Sequence, residues 1–219
     1  MRSCWFVCVS AALALVLSAC GGGKKETART LDDADLREMA MITSEGLPWA
    51  ISLVRDQAVS NEAAAENKPE PERWLGNYEE WGRVSGYQAE FRSKDEGTPP
   101  VGLSVQLEYY SSAGGAESAW AASREFILSE ETLQVLKDMG AAEAAIREVD
   151  AEEVGDESVA LLMTADASVW GGETFMVLFR RGGVLAEALV TAAAGDIRVD
   201  DAVAAAEQVD ARIQDVLNR

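Results

Sequence analysis

The residues that usually carry chemistry are scarce in this chain. It contains no histidine, and its three cysteines are Cys4, Cys8 and Cys20. Ser-His-Asp and Cys-His catalysis are excluded, as are zinc sites built on imidazole. No thiol follows Cys20, so the body of the chain has no internal disulfide and no thiolate metal cluster. Carboxylates are abundant instead, at 38 Asp and Glu. They concentrate in "REVDAEEVGDES", which holds Glu148, Asp150, Glu152, Glu153, Asp156 and Glu157. Calcium needs roughly six to eight converging oxygens, but Val154 stands where an EF-hand would place its third ligand. The run is expected to be a solvated turn, and neither a metal nor a cofactor is expected. A pair of carboxylates could serve a histidine-free glycosidase, yet the sequence singles out no pair. Ser-Lys hydrolysis wants a Ser-x-x-Lys signature, and "FRSKDE" places Ser93 directly beside Lys94. "CGGGKK" has neither the spacing of a phosphate loop nor a strand before it.

Rings are the other chemical resource: Trp49, Trp74, Tyr78, Trp81, Tyr109, Tyr110, Trp120 and Trp170. They could line a pocket for sugar, lipid or peptide, since a ring stacks on an apolar face while its polar tip hydrogen-bonds. Most stand at periodic positions suited to a core. Tyr110 and Trp170 fit that pattern least, and they are the expected ligand contacts.

Cys20 has a different context. Arg2 gives a positive start, and Trp5 to Ala19 form an uncharged, mostly apolar run. As a helix this run reaches roughly 23 Å, short of the roughly 30 Å hydrocarbon core of a bilayer. That is the format of a secretory signal, not of a spanning helix. Leu17, Ser18, Ala19 and Cys20 then read "LSAC", which resembles the lipobox of bacterial lipoproteins. The resemblance implies a diacylglyceryl group on the Cys20 thiol and cleavage just before it. Two or more acyl chains would hold the protein stably on a membrane, where one chain binds only marginally. Residues 21 to 30, "GGGKKETART", have no apolar periodicity and read as a flexible tether. The expected organisation is a cleaved signal over residues 1–19, a lipidated cysteine and tether over 20–30, and one domain over 31–219.

The net charge is −19, and removal of residues 1–19 leaves 18 basic side chains against 38 acidic ones. Nucleic-acid phosphates and anionic lipid surfaces would repel such a body. Nucleic acid is therefore not an expected partner, and the membrane is expected as a partner only through the lipid anchor.

The elements that must position these groups follow from periodicity. Asp32 or Asp33 caps a short helix, "GLPWAISLVRDQAVS" suits a strand, and Asn61 suits the cap of "EAAAEN". Trp74, Tyr78 and Trp81 share one face of a helix that Gly82 ends. Alternation in "RVSGYQAEFRS" and "VGLSVQLEYY" marks half-buried antiparallel strands. Helices follow at 113–128 and 130–139, then strands at 158–164, 173–180 and 184–191. "FRRGGVL" turns the last two into a hairpin. Val199, Ala202, Ala206, Val209, Ile213 and Val216 form the stripe of a helix laid on a sheet. Grouped strands with interspersed helices predict a single α+β domain: an antiparallel sheet with helices mainly on one face and the C-terminal helix upon it.

The order of "GYQAEF", the alternating strand, the Ala-rich helix, "VGDES", "FRRGG" and the last helix is similar to uncharacterised extracytoplasmic lipoprotein domains of bacteria. It more loosely resembles PsbP-like and kinase-sensor extracytoplasmic domains. The resemblance covers roughly residues 80 to 217 and implies an α+β domain without carrying over any catalytic residue. The combined expectation is a membrane-anchored cell-envelope lipoprotein on the extracytoplasmic side. It would be a non-catalytic binding or scaffolding module for an envelope protein or small ligand. A carboxylate hydrolase and a spacer without ligand are the alternatives.

Overall fold

The computed structural model describes residues 30–66, 68–94, 101–138, 141, 143–165 and 172–219. Leu17, Ser18, Ala19, Cys20 and Trp170 lie outside the described residues. The elements run α1 (Asp33–Ala40), β1 (Ile51–Val59), α2 (Asn61–Glu66), α3 (Pro71–Trp81), β2 (Arg83–Ser93), β3 (Gly102–Tyr110) and α4 (Ala113–Ile127). They continue through α5 (Glu130–Asp138), β4 (Ala145–Val149), β5 (Glu157–Thr164), β6 (Gly172–Arg181), β7 (Val184–Ala193) and α6 (Val199–Leu217).

The strands form one antiparallel sheet in the order β1-β2-β3-β7-β6-β5-β4. Two meanders, β1-β2-β3 and β4-β5-β6-β7, meet along the β3–β7 seam. The expected α+β domain with its C-terminal helix on the sheet is what forms.

Period-two alternation decides which side chains face which layer. Tyr87, Ala89 and Phe91 of β2 and Leu103, Val105, Leu107 and Tyr109 of β3 point to the face carrying α1 and α6. Alanines predominate where α6 meets the sheet: Ala186 and Ala188 on β7 face Ala202, Ala205 and Ala206 on the helix. These small side chains let helix and strands approach closely, while Val209, Ile213 and Val216 fill the remaining space. Each such aliphatic side chain contributes about 1.5–3 kcal/mol when fully buried.

The other face of the central strands is also covered. Met176 and Leu178 of β6, Leu161 of β5 and Leu185 of β7 pack with Ala116, Ala119 and Ile127 of α4. Beside them α3 contributes Trp74 and Tyr78, and Trp74 meets Phe126 edge-on at 5.3 Å.

This second layer overturns the expectation for Tyr110. The ring is only 1% exposed and belongs to the packing beneath α4. Its backbone N–H donates to the Gly183 carbonyl at 2.8 Å, and its hydroxyl donates to Glu108 Oε2 at 2.5 Å. The reason is chain direction. After Ser111 and Ser112 the chain enters α4 and folds back over the end of β3, so a ring that would be exposed on a one-sided sheet is enclosed.

Two helix starts show local chemistry at work. Asp32 caps α1 by accepting from the Asp35 N–H at 2.9 Å, and the Asp35 carboxylate in turn accepts from the Asp32 N–H. Ser60, not Asn61, caps α2 through the Ala63 N–H at 3.2 Å. Asn61 is thereby free to reach toward β2.

Candidate functional site

The register of the sheet assembles a polar row that no single segment contains. Gln57 of β1, Gln88 of β2, Gln106 of β3 and Glu187 of β7 stand directly opposite one another in four adjacent strands. The neighbouring row reads Val59, Gly86, Glu108 and Leu185. These side chains face α2, α3 and α4, away from the α1–α6 core. Between them and the helices lies a cavity of about 240 Å³, bounded above by Ala64, Lys68, Tyr78 and Ser123.

Arg83 anchors one end of this cavity. Its side chain is 1% exposed, and its Nε lies 3.3 Å from Glu108 Oε1 without a hydrogen-bonding alignment. Nη1 donates to Asn61 Oδ1 at 2.6 Å, while Asn61 Nδ2 donates to the Arg83 carbonyl at 3.1 Å. The guanidinium also sits 4.9 Å from the centre of the Tyr78 ring, a distance at which the ring quadrupole attracts a cation. Gly86 makes room for this arrangement, because a Cβ there would stand 2.3 Å from Arg83 Nη2 and 2.7 Å from the Leu107 carbonyl. Glu108 is therefore held on both oxygens, by Arg83 and by the Tyr110 hydroxyl. Burial first, and the negative Glu108 second, push the Tyr78 and Tyr110 phenols far above their ordinary range. Both rings remain neutral hydrogen-bonding groups at physiological pH.

Glu187 and Lys68 are in a different state. The Glu187 carboxylate is half-buried and makes no hydrogen bond or ion pair with the described residues. Desolvation raises its pKa, Lys68 pulls it back down, and the Glu108 charge adds to the rise. Among the described residues, no carboxylate lies within 4.0 Å of Lys68. Its ammonium is instead positioned by two rings, Trp74 and Phe126, with each ring centre 5.2 Å away. Two opposite charges thus look into one cavity without meeting.

The acidic run is engaged elsewhere. Asp156 and Glu157 pair with Arg180, and Asp156 also binds Arg181 at 3.0 Å. Glu148, near the end of the short edge strand β4, pairs with Arg124 of α4. Among the described residues no three acidic, histidine or cysteine groups are placed to hold a metal ion.

Of the expected ligand contacts, Tyr110 reaches this region only through Glu108, and Trp170 is outside the described residues. Sequence reasoning missed Lys68, Arg83, Gln88, Gln106 and Glu187. The one local signal was Gly86, an odd residue for the middle of a well-patterned strand, where close approach by another group is the usual cause.

No protein-family model matches the sequence, and no curated protein is significantly similar to it. Among solved structures, the chain resembles the extracellular domain of PknH from Mycobacterium tuberculosis. The TM-score is 0.53 at 10% identity, over 85% of this chain and 99% of that one. At such low identity the two have in common a fold, and no residue of the cavity carries over.

Proposed function

We propose that this chain is a lipid-anchored module on the extracytoplasmic side of a bacterial envelope, which binds a small polar ligand and catalyses nothing. The observation that carries the binding reading is the cavity between the polar strand row and α2–α4. Glu187 and Lys68 border it, and among the described residues neither is in an ion pair. A protein that serves only as a spacer gains nothing from leaving two charges partly desolvated and unmatched, since each costs free energy until it is paired. "LSAC" supports the anchor, and the likeness to a domain that is extracellular in its own protein fits the same side of the membrane. No helix among the described residues is long and apolar enough to cross a bilayer.

The anchor is tested by intact mass and detergent partitioning of the full chain beside Cys20→Ala. Loss of residues 1–19 with a gain of acyl mass, in the wild type alone, is expected. Release of both proteins without lipid would overturn it. Binding is tested by thermal denaturation of the detergent-solubilised protein against a panel of sugars, polyols, amino acids and short peptides. A ligand present at about 100 times its Kd stabilises by about 2.7 kcal/mol. A panel that leaves the midpoint unmoved throughout sinks the binding reading.

A carboxylate hydrolase is favoured by one observation. Glu108 and Glu187 are diagonal neighbours across the β3–β7 seam, a placement roughly 7–8 Å apart and within the spacing of inverting glycosidases. Glu108, however, is committed to Arg83 and Tyr110, which leaves no free base to activate water. Turnover of a glycoside by the wild type and its loss in Glu187→Gln would reinstate the enzyme.

A further inference from the structure

Building on that binding reading, we propose that the cavity receives a zwitterion, a free amino acid or a short peptide. Its ammonium would meet Glu187 and its carboxylate would meet Lys68.

Charge matching comes first. Four ionisable side chains border the cavity: Arg83, Glu108, Lys68 and Glu187. Arg83 and Glu108 neutralise each other at one end and are further tied to Asn61 and Tyr110. The remaining two are opposite in sign, more than 4.0 Å apart, and free of any other ion pair among the described residues. A simple cation at Glu187 would leave Lys68 facing it as a like charge. A simple anion at Lys68 would face Glu187 as a like charge. Only a ligand that carries both signs satisfies both walls.

Size agrees. A volume of about 240 Å³ is below the range of roughly 300–1,000 Å³ typical of sites for drug-sized ligands. A ligand the size of an amino acid or a dipeptide suits this space.

The walls between the two charges also suit a peptide. The side-chain amide of Gln106 has no hydrogen-bond partner among the described residues, and it lies directly across from Glu187. One amide can give and take hydrogen bonds with another, so Gln106 offers what a peptide bond requires. Leu185 and Ala64 provide small apolar contacts for a short side chain. The Lys68 ammonium already rests against Trp74 and Phe126, which reduces the ordering cost of binding.

The test is calorimetric titration of the full-length protein with four probes: alanine, alanyl-alanine, N-acetyl-alanyl-alanine and alanyl-alaninamide. Alanine or alanyl-alanine is expected to bind, with each capped dipeptide at least about tenfold weaker than the free one, the loss of one charge-assisted contact. Glu187→Gln should abolish discrimination against the acetylated dipeptide and keep it against the amide. Lys68→Met should do the reverse, and circular dichroism verifies that both variants fold. Equal binding of capped and free dipeptides would overturn the zwitterion, as would variants that lose affinity without this crossed pattern. If only neutral sugars or polyols from the wider panel bind, the zwitterion is wrong and the small-ligand reading stands. If nothing in either set binds, both fall.

Discussion

Replacing Arg83 by methionine preserves the length of the side chain and removes its charge, which makes it a direct probe of the polar end of the cavity. Three main interactions disappear, together with a long 3.5 Å bond to the Val59 carbonyl. The charge-assisted bond to Asn61 at 2.6 Å is worth about 1.5–3 kcal/mol. The contact over Tyr78 at 4.9 Å adds about 1–2 kcal/mol in so desolvated a place. Glu108, whose side chain is 21% exposed, loses its counter-charge, and stranding one member of a buried pair costs about 3–5 kcal/mol in all. These overlap instead of adding, and Glu108 can still reach water through the cavity. A net loss of about 3 kcal/mol is therefore expected. Urea unfolding followed by tryptophan fluorescence at neutral pH measures it, with the slope m unchanged if the denatured state is unaltered. Glu108→Gln and the double variant complete a cycle. Once neither charge is present there is nothing to strand, so the double variant should be clearly less unstable than the sum of the singles. Arg55, paired with Glu90 in solvent, provides the control, and Arg55→Met should move the midpoint far less. A loss under about 1 kcal/mol for Arg83→Met, or strict additivity in the cycle, would refute the view that this buried pair organises the site.

The remaining predictions concern pH, backbone and a second ion pair. Burial raises the Glu187 pKa above its ordinary 4.5, so the folded state binds a proton that the unfolded state has already released. Wild-type stability should fall relative to Glu187→Gln as pH rises from 4.5 to the raised folded value and then stay level; a difference that is flat across pH 3.5 to 8 contradicts this. Gly155 has φ +75°, and a Cβ there would stand 2.4 Å from the Arg180 carbonyl. Gly155→Ala should cost more than about 2 kcal/mol, whereas Gly195→Ala, at φ +85° in open space, should incur only the left-handed strain of about 1–2 kcal/mol; calorimetric melting that ranks them in the opposite order is the refuting result. Asp210, 7% exposed, accepts two bonds from Arg181 at 2.7 and 2.6 Å and one from Gln214 at 2.7 Å. Asp210→Ala should cost about 2 kcal/mol in the same unfolding assay, and an unchanged midpoint would show that Asp156 alone satisfies Arg181.

Where one face of an element meets the core and the other meets water, the sequence states the structure plainly. The alternation of "GYQAEF", the stripe of α6 and the Trp74–Tyr78 face of α3 are read directly and are observed. Legibility falls where both faces are covered. Tyr109 and Tyr110 are consecutive and both buried, each under a different layer, and alternation cannot announce that. β4 was hidden for the opposite reason: it is a short edge strand with no fully buried residue, and it overlaps a charge run. The cavity was the least legible part. Gln57, Gln88, Gln106 and Glu187 come from four strands spread over 131 positions of the chain, and only the strand register makes them neighbours. Arg83 reads as an ordinary polar strand start until Gly86 is understood as the space its guanidinium occupies.

The β3–β7 seam also has a consequence for how the chain folds. Each meander is built from neighbours in sequence, but the seam pairs Gly102 with Thr191 and Tyr109 with Val184. Neither half can close the core alone, since Val105 of one and Ala188 of the other stand opposite each other at its centre. The last helix, which covers β5, β6 and β7 and also touches α1, arrives later still. A polypeptide extruded from its amino end would therefore stay open until nearly all of it had emerged. Long-range pairing of this kind slows folding toward the millisecond-to-second range. Docking of the two meanders is then the committing step, and substitutions at Val105 or Ala188 should slow folding more than those along the outer hairpins.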